Sequence, residues 1–481
     1  MLHAVTERTT AESELRVRLS PGVSVGRRAP GRLLLSDEHT ARELSDLAPG
    51  LDEALLSLGT SQGQSLEELL QRLVDTGGTD ALAQWTSVLR GLESSRGVLY
   101  EVVREGVVVA RLVPGKAGFD PYHEVPVEAR VRMSRFAYLR GVDDQLVIDA
   151  PRALGPVILV DAAAIAAVTS LASACSVAEL SQKLGDYDGA WVARLVNMLD
   201  AVGMLTAVNE SGEGTEDRNR DQRTWSFPDL LFHASHRSTR RDRRVGATYP
   251  WKGVLEPMPA LKRCASGERI TLVRPDLTAV ANSDASFTSV MEARRSVRRH
   301  GAQPLMLAQL SEFLYRVAHV RDGESRASAP YEVVPRVYPS SGACYPLELY
   351  PVVGRCEGLA AGAYRYDAVS HALEPIADDT ASLLESTAWV MENNALPDIL
   401  FVITARFGRV AWKYEGMAYA TILKDVGVLI EAMYLVATAM RLAPCAVGAG
   451  STATAERILN LEPLAESPVG EFVLGNLPNQ S

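Results

Sequence analysis

A protein of several domains mixing helix and strand, α+β or α/β in class, is what the sequence predicts, on three observations. The chain has 481 residues, and at about 150 residues per domain that implies roughly three. Residues 270–481 alternate helical and strand patterns. Upstream, a helix, a glycine and a strand follow one another twice, at Leu92 to Gly97-Val98-Leu99 and at Leu199 to Gly203-Met204-Leu205.

Composition narrows the class. The hydrophobic fraction of 47% and charged fraction of 22% are those of a soluble globular protein. A net charge of −10 argues against broad affinity for a nucleic-acid backbone, which needs clustered Lys and Arg. Five cysteines (Cys175, Cys264, Cys344, Cys356, Cys445) are sparse, odd in number and free of C-x-x-C pairs, which suits a reducing cytoplasm. The eight histidines are scattered, with no H-E-x-x-H or Cys/His cluster, so no metal site is expected. MLHAVTERTTAESEL lacks the apolar core of a signal peptide. The most apolar run, Val157 to Ala174, contains Asp161 and is too short to span a bilayer. No membrane span and a cytoplasmic location follow.

Residues 1–124 form the first expected domain. Leu15 to Leu19 and Arg32 to Leu35 predict strands, and Ser65 to Leu70 and Leu82 to Leu92 predict helices. Val98 to Val103 and Val107 to Val113 predict a hairpin with a turn at Glu105-Gly106. Residues 125–210 form the second, with strands Gln145 to Ile148 and Val157 to Val160. Helices follow from Asp161, from Ser176 and over Ala190 to Val202. Both regions carry a Ser-x-x-Glu capping box, Ser65/Glu68 and Ser176/Glu179, so a tandem of winged-helix-like units is expected. Asn209 to Asp221 is polar without an apolar period and reads as a linker. A linker and extended arm is therefore assigned to 211–269, including a basic stretch from His236 to Arg244 that reads as a solvated arm.

Residues 270–481 hold the motifs with chemistry in them. A helix predicted over Thr288 to His300 contains Arg294-Arg295-Ser296-Val297-Arg298-Arg299. Arg294 and Arg298, four apart, would share a face and with Ser296 offer charge and a hydroxyl to a phosphate monoester. The run Arg336-Val337-Tyr338-Pro339-Ser340-Ser341-Gly342-Ala343-Cys344-Tyr345-Pro346 reads as a tight loop able to lie flat against a planar ligand. The strand Leu349 to Val353 and the segment Gly362-Ala363-Tyr364-Arg365-Tyr366-Asp367 with His371-Ala372-Leu373 follow. Trp412-Lys413-Tyr414-Glu415-Gly416 then leads into an apolar helix from Tyr419 to Met440.

The order R-R-S-x-R, R-x-Y-P-S-S-G-A-x-Y-P, G-x-Y-R-Y-D-x-x-x-H-x-L resembles the SagB-type (McbC-like) dehydrogenases, the azoline-oxidising branch of the nitroreductase superfamily. Looser likeness extends upstream through Arg135 to Arg140 and Trp225 to His233. The resemblance implies an α+β nitroreductase fold with an FMN site at the C-terminus. Arg294, Arg295, Ser296 and Arg298 match the segment holding phosphate and ribityl chain. Pro339, Ser340, Ser341, Gly342 and Ala343 match the loop beside the isoalloxazine ring, and Gly448-Ala449 a turn near the cofactor. After that turn the family has an aromatic and acidic residues where this chain has Gly450-Ser451-Thr452. Lys424-Asp425-Val426-Gly427-Val428 matches a D-x-G-H pattern with Val428 in place of His, so no role is assigned there.

Lys413 and Tyr414 match the family's catalytic acid/base pair. Either would remove a ring proton if a nearby cation or apolar burial lowered its pKa. The implied activity is oxidation of thiazoline or oxazoline rings in a ribosomally made precursor peptide, with oxygen reoxidising the flavin. Implied partners are that peptide, a YcaO-type cyclodehydratase and a second copy of the chain, with flavin at the interface. The N-terminal units would bind a leader peptide by strand addition. Two readings compete: an NAD(P)H-dependent nitroreductase or flavin reductase, and a non-catalytic scaffold.

Overall fold

The computed structural model describes residues 13–478 apart from 30, 38–39, 61, 186–188, 238–243, 264–266 and 322–329. Cys264 and most of the basic stretch His236 to Arg244 thus lie outside the described residues. The chain forms two compact units, 1–244 and 245–481. Among the described residues no helix is long and apolar enough to cross a membrane.

The first unit is built on a seven-stranded antiparallel sheet. Its order is Gln64–Ser65, Ser13–Leu19, Val98–Arg104, Val107–Leu112, Val157–Leu159, Gln145–Asp149, Tyr138–Val142. Alternation decides which side faces in: Leu15, Val17 and Leu19 are buried and the residues between them half-buried. The expected turn at Glu105-Gly106 joins the central hairpin with both residues at positive φ, 50° and 79°, as a two-residue primed turn requires. Strands from both sides of residue 124 share this sheet, and Val17, Tyr100, Ile148, Val157 and Leu195 share one core. The expected boundary between 124 and 125 therefore falls inside a single compact unit.

Helix starts follow the caps unevenly. Asp161 caps Ala162–Ser170 by accepting the Ala163 N–H at 2.8 Å. Ser176 and Glu179 form a complete capping box ahead of Val177–Leu184. The Ser65/Glu68 box does not form: Ser65 sits in a short strand paired with Arg16, and its side chain makes no cap. The two helices expected after it lie in one run, Leu66–Ser95, interrupted by non-helical Gly78.

The polar stretch expected to be a linker is folded. Short helices Thr215–Arg218 and Arg220–Arg223 lead to Phe227–Ser235. Buried Glu216 accepts the Ser134 hydroxyl at 2.6 Å and the Arg135 N–H at 2.7 Å, and Asp217 pairs with Arg132 at 2.7 Å. Its polarity is satisfied by partners some eighty positions upstream rather than by water.

The second unit has its own seven-stranded antiparallel sheet. The order is Ile270–Thr271, Ala372–Ala377, Gly362–Asp367, Leu347–Val353, Ile399–Arg406, Glu466–Asn476, Leu442–Val447. The central strands Leu347–Val353 and Ile399–Arg406 are buried along their whole length because both faces are covered. Helices Leu307–Ala318 and Ala418–Ala439 set Phe313, Leu429 and Met433 with Phe401 and Phe472 on one face. Leu383, Leu384, Ile458 and Leu459 gather with Leu400, Val402 and Val473 on the other. Phe401 faces one way and its neighbours the other, the strand period of two. Antiparallel pairing of these strands makes the class α+β.

The helix expected over Thr288 to His300 covers Phe287–Ala293 only, capped by Ser286, and Arg294 already has extended ψ of 125°. A helix through the run would stack Arg294 on Arg298 and Arg295 on Arg299, like charges four apart. The segment instead lies along the last strand, with the Val297 N–H donating to the Pro444 carbonyl at 2.8 Å.

Candidate active site

The Pro339–Ala343 loop is held from behind by the long helix. Buried Asp425 accepts the Ser340 hydroxyl at 2.5 Å, the Ser341 hydroxyl at 2.9 Å and the Ser341 N–H at 3.0 Å. The Ser340 oxygen in turn accepts the Tyr345 N–H at 2.9 Å. Gly342 and Ala343 both take positive φ, 58° and 55°. Buried Arg409 ties the loop's far end: it donates to the carbonyls of Cys344 at 2.9 and 3.0 Å, Glu332 at 3.0 Å and Met258 at 2.6 Å.

Lys413 and Tyr414 close on the front of the loop. They follow the short helix Phe407–Ala411, and the buried Trp412 between helix and pair donates its indole N–H to the Leu255 carbonyl at 2.7 Å. A Cβ placed on Gly342 would stand 2.4 Å from both Lys413 Nζ and the Tyr414 hydroxyl. The two side chains therefore converge on one glycine, and only a residue without a side chain leaves them room.

Lys413 Nζ donates to the Tyr331 hydroxyl at 2.7 Å and to the Gly342 carbonyl at 3.2 Å, and the Tyr331 hydroxyl donates to that same carbonyl at 2.5 Å. The rings of Tyr331, Tyr414 and Tyr249 lie 5.1, 5.2 and 5.9 Å from Nζ. Burial pulls the Lys413 pKa down, but the Tyr331 hydrogen bond and the surrounding phenols outweigh it, and the ammonium titrates above an ordinary lysine. The lowered lysine pKa on which the sequence reading made proton removal conditional is not what this environment produces. Burial pushes the Tyr331 hydroxyl up, with Lys413 pulling it back. Burial also raises the Cys344 thiol.

The basic segment forms a second cluster. Ser296 Oγ lies 2.8 Å from the Tyr434 hydroxyl, which accepts the Ala446 N–H at 2.8 Å, and the Arg294 guanidinium lies 5.4 Å from the Tyr434 ring. Gly448-Ala449 follow directly on that strand and are exposed. Among the described residues Arg294, Arg295 and Arg298 have no carboxylate partner. Three uncompensated guanidinium groups and a serine hydroxyl are a donor set that fits a phosphate monoester. Gly450, where the chain departs from the family pattern, has a local reason: a Cβ there would meet Glu471 Oε1 at 2.3 Å. No group of residues able to hold a metal ion occurs among the described residues.

The two clusters are anchored on opposite sides of the long helix. Asp425 and Tyr434 are nine residues apart on the helix Ala418–Ala439, which at 3.6 residues per turn sets them about half a turn apart and roughly 14 Å along the axis. The sequence reading missed Tyr331, Tyr249 and Arg409, which lie in no motif. It also left Asp425 without a role, although that residue stood inside a matched segment.

Residues 291–476 match the model of the nitroreductase family, and residues 131–242 that of the cyanobactin oxidase ThcOx. A nitroreductase-like protein of Methanocaldococcus jannaschii is 29% identical over 43% of this chain and 99% of its own length. The trifolitoxin-processing protein TfxB of Rhizobium leguminosarum bv. trifolii is 30% identical over 29% of this chain, which spans only 39% of that relative's length. The crystal structure of a nitroreductase-like protein of Ralstonia eutropha is similar with 24% identity and a TM-score of 0.36, over 47% of this chain and 98% of that one. The C-terminal unit is thus an oxidoreductase domain of the nitroreductase family. With the cyanobactin-oxidase segment ahead of it, the chain is similar to SagB-type members of that superfamily.

Proposed function

We propose that this protein is an FMN-dependent dehydrogenase that oxidises thiazoline or oxazoline rings of a precursor peptide to thiazole or oxazole, with oxygen reoxidising the flavin. The observation that carries this is the convergence of Lys413 and Tyr414 on Gly342. A ligand-facing loop and a proton-handling pair share one point there, as removal of hydride and proton from adjacent ring atoms requires. FMN, when bound, supplies the hydride acceptor. Arg294, Arg295, Ser296 and Arg298 would hold its phosphate, with Gly448-Ala449 beside it, and Pro339 to Ala343 would lie along its ring.

The half-turn between the two clusters supports a homodimer in which each flavin takes its phosphate segment from one copy and its loop from the other. Exposed Tyr419, Leu423 and Val428 on the same helix, with Phe287 and Met291 nearby in sequence to the basic segment, offer apolar surface for that contact. A YcaO-type cyclodehydratase would supply the azoline, and the first unit would take the leader peptide as an added strand. A cytoplasmic setting suits both partners.

The test is the absorbance spectrum of the purified protein, mass analysis of the released chromophore and turnover of an azoline peptide under oxygen. Stoichiometric FMN with ring oxidation is expected. FMN with NAD(P)H oxidation but no azoline turnover would favour the simple reductase, and absence of flavin after FMN addition would favour the scaffold.

A further inference from the structure

We infer that Tyr331 is a positioning residue of this site: its hydroxyl pins the Lys413 ammonium against the Gly342 carbonyl, so that Lys413 works as a fixed cation and not as the base. The inference rests on reading Lys413 and Tyr414 as the reactive pair, and adds a division of labour within it.

The hydrogen-bond directions carry the argument. The Tyr331 proton is committed to the Gly342 carbonyl at 2.5 Å, so the phenol oxygen faces Lys413 as an acceptor at 2.7 Å. The second contact of Nζ is a carbonyl oxygen at 3.2 Å. Its other neighbours include the faces of three tyrosine rings and the titratable Cys344 thiol, which also favours the charged amine. Oxygen lone pairs and ring faces all present negative potential, and all favour the charged amine. A lysine acting as base must first shed its proton, and each of these groups opposes that. An amine whose pKa is raised, as here, holds and polarises a substrate instead.

Tyr331 is itself fixed. Its ring stands 6.2 Å from the Trp412 ring, and the Arg409 guanidinium lies 5.6 Å from its centroid. Removing the hydroxyl leaves that packing in place and deletes one acceptor of Lys413. Burial, which pulls the lysine down, then meets less opposition, and the pKa of Lys413 falls.

The experiment is competitive labelling of the flavin-loaded 481-residue chain with trace acetic anhydride across pH. The chain has six lysines, so peptide mapping resolves each, and exposed Lys183 normalises the reagent. In the unmodified protein Lys413 is expected to label above the ordinary lysine value of about 10.4. In Tyr331→Phe its labelling curve is expected to move down by about one pH unit, a tenfold rise in uncharged amine at fixed pH. Azoline turnover should fall as pH rises through the Lys413 transition, and fall earlier in Tyr331→Phe. A Lys413 curve at or below the ordinary lysine value, or one that does not move in Tyr331→Phe, overturns the positioning role. A rate that climbs with pH through that transition overturns the fixed cation. If the unmodified protein oxidises no azoline, the function proposed above fails, while the labelling curves still decide the Tyr331–Lys413 coupling.

Discussion

At Gly342 a single methyl group would disturb two side chains, because its φ of 58° is left-handed and Lys413 and Tyr414 occupy the space a Cβ would take. The left-handed conformation alone costs a non-glycine residue about 1–2 kcal/mol. Gly342→Ala is therefore expected to keep its flavin and lose at least about tenfold in turnover through displacement of the pair, read from steady-state rates and the flavin absorbance. Lys413→Ala and Tyr414→Phe should likewise retain FMN and lose turnover by about a hundredfold or more; cofactor loss in either would remove it from the proposed role. Glu471 makes a separate test. Burial raises its carboxyl pKa, so the folded state holds the proton more tightly than the unfolded chain. That contribution to stability is full below the ordinary glutamate value of about 4.3 and is lost as pH rises through the raised one. Glu471→Gln should thus melt higher than the unmodified protein at neutral pH, with the difference closing in acid.

Among the elements, the helix Ala418–Ala439 organises the second unit, burying Leu429 and Met433 in the core while presenting Asp425 to the loop and Tyr434 to the basic segment. Asp425→Ala would leave two serine hydroxyls and one N–H without their acceptor. A loss of about 1–3 kcal/mol in unfolding free energy is expected, measured by urea denaturation, together with slower turnover as the loop loosens. An unchanged denaturation midpoint would show that the loop holds itself. The helix itself was legible as an apolar run, and Asp425 as a residue within a matched segment. Its partners were not legible, since Ser340 lies 85 positions away. The basic segment misled in the opposite sense: its four-residue spacing suggested a helical face, and like-charge stacking with an available strand edge made it extended.

For the molecule as a whole, the placement of the two clusters predicts how copies cooperate. If each flavin draws its phosphate segment from one copy and its loop and Lys413 from the other, Arg294→Ala and Lys413→Ala homodimers are both inactive. A mixed dimer then contains one site free of both changes. Co-expression of two differently tagged chains and tandem purification should recover about half the activity of the unmodified dimer per flavin-competent dimer, since one of its two sites is intact. A mixed dimer as inactive as its parents would place the whole site within one chain.

The sequence by itself determined what depends on local pattern: strands by alternation, the helix starts at Asp161 and Ser176, the tight loop at Pro339 to Ala343, and the ordered motifs that resemble one family. These are short-range properties, set by side-chain periodicity and backbone preference within a few residues. The tertiary structure alone decided that residues on both sides of 124 share one sheet and core, and that Asn209 to Asp221 packs through Glu216. It also placed Tyr331 and Arg409 around the reactive pair. Each of these rests on hydrogen bonds or burial between residues far apart in the chain, where a polar side chain's partner, and so its charge and role, is set by what the fold brings beside it.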